Sequence, residues 1–160
     1  METNSELKKL AKEIIEQNQY MTIASVDEFG YPWASPVAYV YDKKYNLYWV
    51  SVPESKHQKN IENNSKISLS IFDSHQRWGE GTGIQIEAFV TKVPSKDLLS
   101  VSKLYFTRNY PYKSSKRAFG EGLRKLLKRN IYSFYSATPT RIWVPDPEAD
   151  IDSRIEVVLN

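Results

Sequence analysis

The chain has 160 residues, a length that suits one domain and buries a hydrophobic core without cross-links. With 41% hydrophobic and 26% charged residues its composition is ordinary for a globular protein, and the absence of cysteine excludes disulfides and thiolate metal sites. The net charge of +3 is unremarkable, no apolar run reaches the roughly 18 residues of a membrane helix, and the polar start from Met1 to Glu6 carries no signal pattern, so a single cytoplasmic domain over residues 1–160 with no membrane partner is expected.

The spacing of Leu7, Leu10, Ala11, Ile14 and Ile15 predicts a helix over 4–18, with Asn4 or Ser5 as its cap. Tyr20–Val26 reads as a strand, and Asp27-Glu28-Phe29-Gly30 turns it, with Gly30 free to take positive φ. Trp33–Tyr41 is a second strand. The polar loop Asp42–Asn46 returns it to a third, Leu47–Val52, rich in aromatic and β-branched residues. Pro53 stops that strand, and Ser55 stands as N-cap of a short helix over 56–63. Lys66–Phe72 alternates, with Ile67, Leu69 and Ile71 on one face. A loop over 73–82 carries Trp78, and Gly83–Val93 follows as a long strand. Pro94-Ser95 opens a helix near 96–108. A basic helix is expected over 114–128, although Gly120 and Gly122 weaken it. Ile131–Ala137, Arg141–Val144 and Arg154–Leu159 read as closing strands.

This order lacks βαβ alternation. It predicts a mainly β fold, an antiparallel β-barrel with peripheral helices, without internal repeats or an interdomain linker.

Charge is unevenly placed. Nine Lys/Arg and one acid, Glu121, fall between Lys103 and Arg129, so that segment carries +8 and the rest of the chain −5. Such a block suits phosphates, nucleic acid or an acidic partner, and it equally suits a solvated helix face. The chain is also rich in Tyr and Trp, which suit both strands and planar ligands.

The stretch Val50-Ser51-Val52-Pro53-Glu54-Ser55-Lys56-His57-Gln58-Lys59-Asn60 concentrates the polar chemistry. A strand ends and a helix begins there. Unpaired N–H groups and a partial positive charge mark the helix start, with two hydroxyls, a lysine and a histidine beside it. These are the parts of a phosphate site, and also of a capped surface helix with solvated side chains. His57, one residue past Lys56, could point the other way around the helix. Two histidines cannot build a histidine-rich metal site, and no nucleophile elbow, Walker loop or dinucleotide fingerprint occurs, so no metal site is expected. Gly79-x-Gly81-x-Gly83 reads as a flexible lead-in to a strand or as backbone that lets a planar ligand come close. Asp146, Glu148, Asp150 and Asp152 form an acidic turn whose spacing matches no calcium loop.

Several segments, in order, resemble the pyridoxamine 5′-phosphate oxidase-like flavin-binding split barrels. They are Tyr20–Val26, Gly30-Tyr31-Pro32, Ala34-Ser35-Pro36-Val37, Leu47–Ser51, Ser55–Ile61, Lys66–Ile71 and Ile84–Val90. The similarity spans roughly residues 7–93, with a weaker tail at 131–159. It implies a six-stranded antiparallel split barrel that forms a homodimer and holds flavin mononucleotide (FMN) at each of two interface sites. In that family the second strand lies along the flavin ring, here Ala34, Ser35, Pro36 and Val37. The third strand and helix start hold the phosphate, here Ser51, Ser55, Lys56 and His57, with Val50 on the same strand also at the cofactor and Asn60 at the polar position that follows. Gln85 matches a position that faces the flavin. Trp143 and Arg154 resemble a tryptophan–arginine pair that the oxidases proper carry near the C-terminus. A second-strand arginine of those oxidases is replaced here by Ser35, and residues 103–129 do not align with their substrate-binding segment. The pattern is that of a general member of the superfamily, not of a vitamin B6 oxidase.

The leading expectation is an FMN-binding oxidoreductase that transfers hydride between flavin N5 and a planar substrate, its catalytic residues unassigned. Superfamily members also use deazaflavin or bind heme. A non-enzymatic flavin-binding sensor is the first alternative. The second is a nucleic-acid-binding small barrel using segment 103–129, where Tyr105, Phe106, Tyr110 and Tyr112 interleave with basic residues. The partner expected is a second copy of the chain rather than nucleic acid.

Overall fold

The computed structural model describes residues 4–79, 81–108, 132–149 and 153–159. The expected basic helix over 114–128, most of the +8 segment, and Asp150 and Asp152 lie outside them.

The chain begins with helix α1 (Asn4–Gln17), which buries Leu7, Ala11, Ile14 and Ile15 as the spacing demands. Both expected caps, Asn4 and Ser5, lie within it. Strand β1 (Tyr20–Val26) follows, then β2 (Pro32–Ala38), β3 (Val40–Tyr41) and β4 (Leu47–Ser51). Helix α2 (Lys56–Asn63) precedes β5 (Lys66–Phe72) and β6 (Gly83–Lys92). A 3-10 turn (Ser95–Asp97) leads into α3 (Leu98–Thr107), and β7 (Ser133–Pro145) and β8 (Arg154–Val157) complete the fold.

All strand pairs are antiparallel, in the order β2-β1-β5-β6-β7-β4-β3, with β8 added on β7. Strands β2 and β3 stand at the two ends of that order, yet they are one chain segment interrupted only at Tyr39. With β2 and β3 counted as one strand, the sheet has seven strands, one more than expected because of β8, and curls on itself as an antiparallel split barrel. Closure is incomplete. β3 makes only two pairs with β4, Val40↔Tyr48 and Tyr41↔Leu47, and among the described residues β2 pairs with β1 alone. β2 and β4 thus diverge, which leaves one edge of β2 without a ladder.

The interior follows the two-residue period of the strands. Met21 and Ile23 of β1, Ile67, Leu69 and Ile71 of β5, Ile84, Ile86, Ala88 and Val90 of β6, and Leu47 and Trp49 of β4 fill the barrel. Trp49 stacks on Tyr135 with ring centres 5.8 Å apart. Each fully buried aliphatic contributes about 1.5–3 kcal/mol of transfer free energy, and truncating one such as Ile86 to Ala costs about 2–5 kcal/mol once its cavity is included. A smaller cluster of Val93, Val101 and Phe134 lies under α3.

Two departures from the sequence reading have physical causes. The expected strands 131–137 and 141–144 are one strand, because the register shift opposite Glu87/Ala88 absorbs Thr140 as a bulge. Pro139 is tolerated at that bulge, where a ladder bond is already missing, and the Thr140 hydroxyl donates to Glu87 O at 3.0 Å. The expected second strand breaks at Tyr39, whose buried phenol donates to Ile15 O at 2.6 Å. The Arg108 guanidinium stacks 4.8 Å from the Tyr39 ring and donates to Tyr39 O, to Glu16 O at 3.2 Å and to Asn18 O at 2.6 Å. A cation there satisfies carbonyls left open at the end of α1.

Candidate functional site

The site starts from β4. Leu47, Trp49 and Ser51 share its inward face, so the strand puts a hydroxyl where the barrel opens. Pro53 then ends the strand. Ser55 stands at the N-cap of α2 in extended backbone, as expected, but its side chain caps no helix N–H. Its hydroxyl lies 3.2 Å from the Ser51 hydroxyl instead. His57 turns toward the same point: its Nε2 is 2.8 Å from Ser51 Oγ and 3.4 Å from Ser55 Oγ. Burial lowers the His57 pKa below its ordinary value, which favours the neutral ring. Two hydroxyls and an imidazole converge within one helical turn. The first N–H groups of α2, which have no partner within the helix, lie beside them.

Lys56 is exposed, and its ammonium sits 4.6 Å from the Trp33 ring centre and 5.8 Å from that of Tyr31. Asn60, 3% exposed, lies deeper. Its amide donates to Ser25 Oγ at 3.1 Å, and Ser25 in turn donates to Trp33 O at 3.4 Å. This chain of bonds ties α2 to β1 and β2. Ser25 was not singled out from sequence, although a serine on the inward face of Met21 and Ile23 is a signal that a partner exists. Gln58 is fully buried on α2, and neither polar atom of its amide has a partner among the described residues.

On β2, Ala34 and Pro36 are exposed, Ser35 is buried, and the half-buried Val37 packs on the main core. What β2 offers at its unpaired edge is backbone N–H and C=O. The Val50 side chain packs into the cluster under α3 and is turned away from Ser51. Gln85, Trp143 and Arg154 form a separate group on β6, β7 and β8. Gln85 pairs with Trp143 across the ladder, Arg154 donates to Gly83 O at 3.3 Å, and a cleft of about 280 Å³ carries Gln85 and Arg154. Gly83 is required by close packing: a Cβ there would come 2.9 Å from Phe72 Cβ.

A larger cleft among the described residues, about 550 Å³, lies elsewhere. It runs over the outer face of β1, β5 and β6, with Ala24, Val26, Lys66, Ser68, Glu87 and Phe89 in its lining, and it includes none of the expected site residues. It is an open groove with one lysine and one glutamate, whereas the donors suited to a phosphate converge at α2. Tyr105 and Phe106, two of the aromatics that motivated a nucleic-acid reading, pack edge-on against Phe134.

The family model for pyridoxamine 5′-phosphate oxidase matches residues 7–131. The chain belongs to this family. No curated protein matches its sequence. Solved structures that share the split-barrel fold of this oxidase-family chain include the following three. A protein of unknown function from Agrobacterium tumefaciens is 11% identical with a TM-score of 0.73, over 96% of this chain and 62% of that one. HutZ, the heme storage protein from Vibrio cholerae, is 17% identical with a TM-score of 0.67, over 86% and 94%. An FAD-binding protein from Mesorhizobium loti is 13% identical with a TM-score of 0.62, over 84% and 90%. The chain thus spans less than two thirds of the first of these. No helix among the described residues is long and apolar enough to cross a membrane.

Proposed function

We propose that this member of the family is a flavin-binding oxidoreductase-like protein that holds a flavin between the start of α2 and the unpaired edge of β2. One observation carries the reading: Ser51, Ser55 and His57 converge at the start of α2, with Lys56 beside them, across from the unpaired edge of β2. A flavin needs both halves of that arrangement. Its phosphate calls for hydroxyls, helix N–H groups and an ammonium. The polar edge of its ring calls for backbone donors and acceptors, which Ala34, Ser35 and Val37 can supply and Pro36 only as an acceptor, without demanding a particular side chain. Ser51, Ser55, Lys56 and the α2 backbone would hold the phosphate, and neutral His57 would orient the Ser51 hydroxyl. The bound flavin would supply hydride transfer at N5.

Gln85, Trp143 and Arg154 stand apart from this group on β6–β8, which favours a site completed by a second subunit. Exposed Val26, Phe72 and Phe89 on the outer sheet face suit an isologous contact.

The deciding experiment is calorimetric titration of the full chain with FMN, with absorbance of the purified protein and light scattering alongside. A protected yellow chromophore, a saturable isotherm and a dimer mass are expected. No binding at high FMN, or a Soret band in the purified protein, refutes the reading.

A further inference from the structure

Tyr31, just before β2, and Trp33, its second residue, are 67% and 41% exposed, and the ammonium of Lys56 stands beside both rings. Their placement is fixed from behind. Asp27 Oδ1 accepts from Phe29 N at 3.1 Å and from Tyr31 N at 2.9 Å, and Gly30 closes the turn at φ +81°. Trp33 is held through its carbonyl by Ser25, which is itself bonded to Asn60 of α2. Two large rings presented to water on a fixed frame, with a cation between them and the helix start, form a built surface rather than a frayed loop.

We propose that Tyr31 and Trp33 form a stacking platform for the adenine of a dinucleotide, so that the site prefers flavin adenine dinucleotide (FAD) to FMN. The inference rests on the reading that a flavin phosphate sits at Ser55 and Lys56. FAD continues from that phosphate through a second one to adenosine, and the aromatic pair lies against the residue that meets the first phosphate. The exposed, flexible Lys56 can pair with either phosphate. Adenine is planar and uncharged, so stacking on an indole or phenol ring gains affinity without burying an ion. Riboflavin and FMN leave both rings in water.

The test is the ratio of FMN to FAD dissociation constants, measured by calorimetry on the full chain and on Trp33→Ala, Trp33→Phe and Tyr31→Leu, each checked for native melting. Base stacking predicts that FAD binds about five- to hundredfold tighter than FMN in the wild type. The ratio should collapse toward unity in Trp33→Ala, fall in part in Tyr31→Leu, and survive in Trp33→Phe. FAD binding no tighter than FMN in the wild type overturns the proposal, and so does a ratio unchanged by Trp33→Ala. If that unchanged ratio comes with loss of dimer mass, the aromatic pair belongs to the subunit interface. Failure of the underlying reading looks different: riboflavin, FMN and FAD would all fail to bind.

Discussion

Lys56→Ala separates a phosphate site from a decorated surface helix. An ammonium that reaches a flavin phosphate makes a charge-assisted hydrogen bond worth about 1.5–3 kcal/mol. Here it does not start from water. It rests 4.6 Å from the Trp33 ring, a contact worth about 0.5–1 kcal/mol at an exposed site, and part of that is given up when it turns to the phosphate. The net loss expected for Lys56→Ala is therefore about 1–2 kcal/mol, or roughly five- to thirtyfold in FMN affinity. Stability should change little, because Lys56 is exposed. Calorimetry with FMN and riboflavin on both proteins makes the measurement, and riboflavin, which lacks the phosphate, should bind both about equally. An unchanged FMN affinity would place the phosphate elsewhere, and an equal loss for riboflavin would mean that Lys56 acts on the ring or on the fold.

Other outcomes follow from the same geometry. Burial holds the His57 pKa below its ordinary 6.5, so the unfolded chain binds the proton more readily. The stability tied to the neutral ring is fully present above pH 6.5 and is lost as pH falls through the lowered pKa; urea midpoints should drop over that window in the wild type and less in His57→Gln. Ser25→Ala strands the Asn60 amide, which should cost about 1–3 kcal/mol, roughly 2–4 °C of Tm per kcal/mol, and loosen FMN binding with it; an unchanged melting curve would mean the amide finds another partner. Gln58→Met replaces a buried amide without hydrogen-bond partners by an apolar side chain of similar size, and should raise stability by about 1 kcal/mol or more. A destabilised Gln58→Met in thermal melts would show that the amide is satisfied in solution.

Residue spacing and punctuation alone specify most of the secondary structure among the described residues and the polar residues of the candidate site. Strict alternation in Lys66–Phe72 and Gly83–Val93, and three- and four-residue spacing in α1, left one face of each element to bury, so those elements existed whatever their neighbours did. Ser55, Lys56 and His57 were legible because Pro53 ends one element and a helix must begin with unpaired N–H groups. Tertiary structure decided what those parts face. Alternation does not say which strand carries a bulge, so Thr138-Pro139-Thr140 read as a break until β6 supplied the register. It also does not rank residues that share a motif: Asn60 and Val50 read like their neighbours, yet one is buried against Ser25 and the other turned toward α3. The pairing of Lys56 with Trp33, and the Arg108 clamp on α1 and Tyr39, join residues that are distant in sequence. Such contacts follow only once the barrel has closed through the interrupted strand at Tyr39, because burial patterns fix which face of a strand turns inward and not what it meets there.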